Sequence, residues 1–384
     1  MVLSLYSPDL QWIVLLSGKH AVAQIYDIRY NESSLSEPAG SFDRACKDRI
    51  DIMEAAKTYM KHSLQELCNQ FIVARDIVQN TFKWDSSYIP PVCANLFCAQ
   101  GITPDAGRLR RCRDLINQNT GIFSSFRGHI RVPLACMLSM EDDPEEKFSK
   151  ALDVYRTLRE HFSSSDYLAL AAFLLTEYDC SEEQIARGRR IYRLMKNEHP
   201  FLTSSEDSIF AVMMAWSEQS DEDLIADMEA CYRLLKMRFH DSDCVQTMTH
   251  VLAMEKGDSN TKCEKVFTLY DAIGRNGGKY GKRHEMATLA ALAMLNLDPD
   301  VLAQDMMEVD AFLSRQKGYG FWGIGRKTRL MHAAMIVSDE YMPHDAVDTA
   351  ALTGTIALII AQQMAMCAIL ASTTASSAAA ASNS

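Results

Sequence analysis

None of the 11 cysteines stands at CxxC spacing, the nearest pair being Cys93 and Cys98. A structural zinc site or a dithiol redox centre therefore lacks its ligands in series. No GxSxG elbow occurs, "HEMAT" at His284 lacks the second histidine of a metalloprotease helix, and "DSDC", "DPD" and "DED" lack the glycine and closing glutamate of a calcium loop. Basic residues are in deficit, with 39 Lys and Arg against 50 Asp and Glu and a net charge of −11. That balance excludes general nucleic-acid binding, which rests on accumulated cationic contacts with phosphates. No Lys or Arg precedes the short apolar run "WIVLL", so an export signal is not expected and the cytoplasm is the default compartment.

What is present is helical periodicity, repeated. From Asp48 onward apolar residues recur at helical spacing, and from about Phe126 the pattern repeats itself. Five amphipathic segments align on an aromatic at Tyr155, Tyr192, Tyr232, Tyr270 and Phe312, in steps of 37 to 42 residues. Each is preceded by a more uniformly apolar segment, such as "YLALAAFLL" or "SIFAVMMAW", and a sixth, "LMHAAMIV", follows the last. A helix apolar on all sides must be buried, whereas its amphipathic partner can face water. The expected unit is a helical hairpin of about forty residues, and the expected fold is all-α: hairpins stacked as an α-solenoid or a closed helical array. Ser181 with Gln184 and Thr203 with Glu206 have capping-box spacing, while Asp143 and Asp298 precede prolines suited to a first helical turn.

Residues 1–50 alternate apolar runs with turn residues and show no helical period, so they read as an atypical extension, not native to the domain. The helical-repeat domain is expected over 51–345. Residues 346–371 are expected to form an apolar C-terminal helix, and 372–384 an Ala/Ser tail expected to be disordered. No charged residue follows Asp348, and the apolar segment is long enough to span a bilayer. Thr355, Gln362 and Gln363 give it a polar stripe, which favours capping the last repeat or pairing subunits over membrane anchoring. Truncation after Asp348 is expected to destabilise the protein, and truncation after Ala371 to be harmless.

Two glycine-rich loops carry the functional candidates. "GRNGGKYGKR" and "KGYGFWGIGRK" each follow an amphipathic helix, where a dinucleotide fingerprint would follow a strand. Ile273 stands where a P-loop needs its first glycine and Tyr280 where it needs Ser or Thr, so the glycines read chiefly as helix terminators. The same loops concentrate Arg275, Lys279, Lys282, Arg283, Arg326 and Lys327 beside Tyr280, Tyr319 and Trp322 in an acidic chain. Adjacent repeats place them on one edge, as a rim for a protein partner or an anionic small molecule. The arginines of "GRLRRCRD" read as a solvated helix face. His250 and His332 fall within apolar helices and read as core histidines with satisfied partners.

The segments "NTGIFSSFRGHIRVPLA", "EHPFLTSSEDS", "KYGKRHEMATLAALA" and "QKGYGFWGIGRKTRLMHAAMIV" resemble a bacterial family, number 4003 among the domains of unknown function, over roughly residues 50–384. The resemblance implies an all-helical cytoplasmic protein with no assigned activity, cofactor or catalytic residue. It also implies a start near Met53. The expected function is a non-enzymatic partner-binding or scaffold protein, with homo-oligomerisation through the C-terminal helix as one form. The alternative is a small-molecule binder or enzyme with a pocket inside the array, using His284, Glu285 and Arg326.

Overall fold

In the computed structural model the described residues are three strands at 2–7, 10–15 and 24–27, and then 60–83, 89–178, 180–319 and 323–341. The chain divides into two compact units, Met1–Tyr59 and Met60–Ser384. The first contains an antiparallel meander, β1 (Val2–Ser7), β2 (Leu10–Leu15) and β3 (Gln24–Asp27), paired in the order β1-β2-β3. Val2 faces Leu15, and Trp12 faces Asp27. Strands here agree with the absence of a helical period.

The second unit is all-α. Its described helices alternate between a longer amphipathic helix and a shorter buried one: α1 (His62–Thr81), α2 (Ile89–Ala99), α3 (Ala106–Asn119), α4 (Arg131–Leu138), α5 (Pro144–His161), α6 (Asp166–Leu174) and α7 (Glu182–Glu198). The series continues with α8 (Asp207–Met214), α9 (Asp221–Lys236), α10 (Ser242–Ala253), α11 (Ser259–Arg275), α12 (Glu285–Ala293), α13 (Pro299–Ser314) and α14 (Arg326–Tyr341). Every residue of α4 after Arg131 is buried, as is every residue of α12. By contrast, α5 buries only Phe148, Ala151 and Leu158. The two helix types are therefore the inner and outer layers of hairpins, as their apolar patterns require.

The hairpins form a closed array, one of the two arrangements left open by the sequence. Helix α14 packs on α1 and α2, and α13 packs on α1, so the seventh described hairpin returns to the first. Phe71 of α1 lies 6.2 Å from the His332 ring of α14, and Lys61 meets Asp305 of α13 at 2.8 Å. Lys61 is substantially exposed whereas Asp305 is buried, so the attraction is partly offset by the cost of burying the carboxylate. Burial of Phe71 at 0% exposure against α14 adds to the seam, at roughly 1.5–3 kcal/mol for a large apolar side chain.

Alternation has a geometric consequence. Short links make each hairpin antiparallel, so every outer-to-inner loop lies at one end of the ring and every inner-to-outer loop at the other. Side chains tie the loops of the first end to one another. Ser125 Oγ lies 2.9 Å from Ser164 Oγ, and Tyr167 donates to Glu206 at 3.1 Å. The repeated tyrosines serve the same end in matching ways: Tyr155 packs edge-on against Phe126, Tyr192 against Phe162 and Tyr270 against Phe239, while Tyr232 meets the His199 ring at a tilt of 47°. In each case the partner comes from the outer-to-inner loop of the preceding hairpin.

Ser181 and Gln184 form the expected capping box, and Asp143 and Asp298 cap the helices opened by Pro144 and Pro299. Thr203 and Glu206 do not form theirs. Thr203 is buried with its hydroxyl donating to the Met195 carbonyl at 3.2 Å, and the helix begins instead at Asp207, whose carboxylate accepts Ser204 N–H at 2.7 Å. The hydroxyl at this helix start is supplied one residue later, by Ser204, whose Oγ accepts Glu206 N–H at 3.2 Å.

Candidate functional site

The two glycine loops meet at the outer-to-inner end. Arg326, the first residue of α14, donates from Nη2 to the Gly277 carbonyl at 3.0 Å, and its Nε lies 3.5 Å from Asp310. Arg275 is exposed and pairs with Asp300 at 2.8 Å. Lys279, Lys282, Arg283 and Lys327 are exposed, with Lys282 5.6 Å from the Tyr270 ring centroid. Trp322 lies outside the described residues.

The two tyrosines have a different placement. Tyr280 is buried and donates its hydroxyl to the Glu285 carbonyl at 2.9 Å; burial raises its phenol well above the ordinary value. Tyr319 is 1% exposed, with its hydroxyl 2.8 Å from His332 Nδ1 and the Arg75 guanidinium 5.5 Å from its ring. Both therefore fix the loops from beneath, leaving the cations at the surface. The glycines act structurally as well: Gly277 and Gly318 have φ of +81° and +90°, and Gly323 approaches the Gly318 carbonyl so closely that a Cβ would overlap it.

The carboxylates at this end are largely occupied. Asp166 accepts His129 N–H at 2.9 Å, Asp241 accepts Cys244 N–H at 3.2 Å and Glu285 accepts Arg283 N–H at 3.1 Å. Glu285 also nests against Gly281, where a Cβ would collide with its carboxylate. His284 Nε2 stands 3.8 Å from Glu285 Oε1. Glu285 thus fastens this loop, with His284 beside it.

His332 has the partner expected of a core histidine, but His250 does not. Neither ring nitrogen of fully buried His250 has a hydrogen-bond partner. Its Nδ1 lies 3.6 Å from Asp207 Oδ1, and its ring centroid lies 5.0 Å from that of Phe210. Burial lowers its imidazole to about 3 and raises the Asp207 carboxyl to about 7. The sequence offered no signal for this pairing, because the two residues sit 43 positions apart on separate inner helices. Among the described residues no three His, Cys, Asp or Glu side chains gather as metal ligands. Burial raises the thiols of Cys68 and Cys112, to about 12 and about 11.

A cavity of about 650 Å³ lies at the opposite end, lined by Asn260, Thr268, Leu269, Ala293, Leu297 and Leu302 among others. It includes none of the residues marked out by the sequence. Among the described residues no helix is long and apolar enough to cross a membrane, and the apolar segment 346–371 lies outside them.

Residues 76–365 match the model of the family described as "Protein of unknown function (DUF4003)". The chain belongs to that family. It is also similar to the uncharacterised protein YeaA of Bacillus subtilis (strain 168), with 24% identity over 330 residues, 83% of this chain and 98% of that protein. No solved structure matches. The matched span includes both glycine loops and the inner helices that carry Asp207, His250 and His332.

Proposed function

We propose that this DUF4003 protein is a non-enzymatic binding protein of the cytoplasm that holds an anionic partner against the outer-to-inner end of its helical ring. The observation that carries this reading is the bond from Arg326 to the Gly277 carbonyl, which joins two loops bearing Lys279, Lys282, Arg283 and Lys327. Exposed cations gathered in a chain of net charge −11 define a local anion-attracting face. The ionisable groups beneath it support a scaffold role, because Glu285 and Tyr280 fasten backbone. Buried reduced thiols are compatible with the cytoplasm.

The test compares proteins, lipids and small molecules that co-purify with wild type and with the Lys279→Glu, Lys282→Glu, Lys327→Glu triple variant. The variant should lose a defined subset. Identical sets would contradict the proposal. A second reading, a small-molecule binder or enzyme with an interior pocket, draws on the unpaired nitrogens of His250 beside Asp207. It requires that His250→Gln abolish binding of a ligand that stabilises wild type to heat.

A further inference from the structure

We infer that the anionic partner is a lipid bilayer surface, met by apolar loop tips that stand beside the basic loops. The inference rests on the reading of this end as a binding face and specifies its occupant.

The exposed large apolar side chains are unevenly distributed. Ile122, Phe123, Phe201 and Met237 are 73%, 97%, 100% and 82% exposed, and no other described large apolar residue exceeds 50%. All four belong to outer-to-inner connections: Ile122 and Phe123 between α3 and α4, Phe201 between α7 and α8, and Met237 at the end of α9. They therefore occupy the same end of the ring as the glycine loops. The next connections around the ring carry Lys279, Lys282, Arg283, Arg315, Lys317 and Lys327, all exposed. Glu160, Glu198 and Asp243 are exposed acids near the apolar tips, while Asp166, Asp207, Asp241 and Glu285 are engaged by backbone N–H groups.

This distribution suits a bilayer better than a folded protein partner. A protein interface concentrates its apolar anchors in a contiguous, close-packed centre. Here the tips stand apart on three loops, Ile122 with Phe123 on one and Phe201 and Met237 singly on the others, which requires a partner whose apolar interior deforms around each one. A bilayer has that property, and its anionic headgroups would meet the lysines. A free phosphate or acidic peptide would account for the lysines but leave Phe123 and Phe201 in water.

The test is co-sedimentation of the full-length chain with vesicles of phosphatidylcholine alone and with vesicles rich in phosphatidylglycerol. Wild type should partition onto the anionic vesicles, less so as salt rises, and the Phe123→Ser, Phe201→Ser double variant should bind about tenfold more weakly or worse. Because both side chains are fully in solvent, this variant keeps its fold, as circular dichroism would verify. The segment 346–371 is common to every arm, so differences report the loops. Wild type failing to sediment, the double variant sedimenting like wild type, or displacement by inorganic phosphate at matched ionic strength would each overturn the inference. Lysine-dependent retention of a soluble acidic protein without vesicle binding would also overturn it, while leaving the broader reading of this face intact.

Discussion

Lys61 and Asp305 lie 244 residues apart in the chain and 2.8 Å apart in space. Tyr341 completes the junction by donating its hydroxyl to the same Asp305 oxygen at 2.6 Å. The contact joins α13 and α14 to the residue preceding α1, so the ring closes where an open solenoid would expose two ends. Closure also removes the need for separate capping repeats.

Closure should depend more on packing than on that ion pair. Phe71→Ala, at a fully buried seam position, is expected to cost about 3–5 kcal/mol of stability, whereas Lys61→Ala should cost less, about 1–2 kcal/mol, because Tyr341 still donates to the buried Asp305 carboxylate. Denaturant unfolding measures both. Equal effects would show that the seam is held otherwise.

The glycine loops divide into positions that require glycine and positions that tolerate alanine. Gly323→Ala places a Cβ against the Gly318 carbonyl, with an expected cost of roughly 1–3 kcal/mol. Gly325→Ala meets no atom within 4 Å and should be neutral or slightly stabilising. Comparable melting temperatures for the two variants would remove the structural account of the first glycine.

The hairpin plan was legible because inner and outer helices differ in how much surface they bury, and that difference is written directly as apolar pattern around Tyr155, Tyr192, Tyr232 and Tyr270. Its first members, α1 to α3, lack the marker aromatic, so the repeat is not legible in them. The ladder formed by Phe126, Phe162, His199 and Phe239 was also readable, recurring in steps of 36 to 40 residues, but its members stand at helix ends where periodicity is weakest. Burial of Tyr280 and Tyr319 was not legible, since a loop tyrosine has the same one-letter context whether it points up or down. The placement of Phe123 and Phe201 is illegible for a similar reason: isolated aromatics in a loop acquire meaning only when closure places their loops at one end.

Asp207 gives the protein a pH dependence of definite sign. Burial holds its carboxyl at about 7, so between the ordinary carboxylate range and that value the folded protein binds more protons than the unfolded chain. Stability from this residue therefore falls as pH rises through the window. His250 acts oppositely between about 3 and the ordinary imidazole value, and contributes nothing above it. Asp207→Asn should accordingly exceed wild type in stability above pH about 7, on the order of 1–2 kcal/mol, with the gap closing in acid. Melting curves across pH test this, and a gap that widened on acidification would refute the assignment.

The central claim is that binding is confined to one end of the ring. It is tested by two variants with the same change in charge: Lys279→Glu with Lys327→Glu at the outer-to-inner end, and Lys256→Glu with Lys265→Glu near the opposite end. The measurement is retention of the molecules that co-purify with wild type. The account predicts loss with the first pair and wild-type retention with the second; equal loss with both, or with neither, would contradict it.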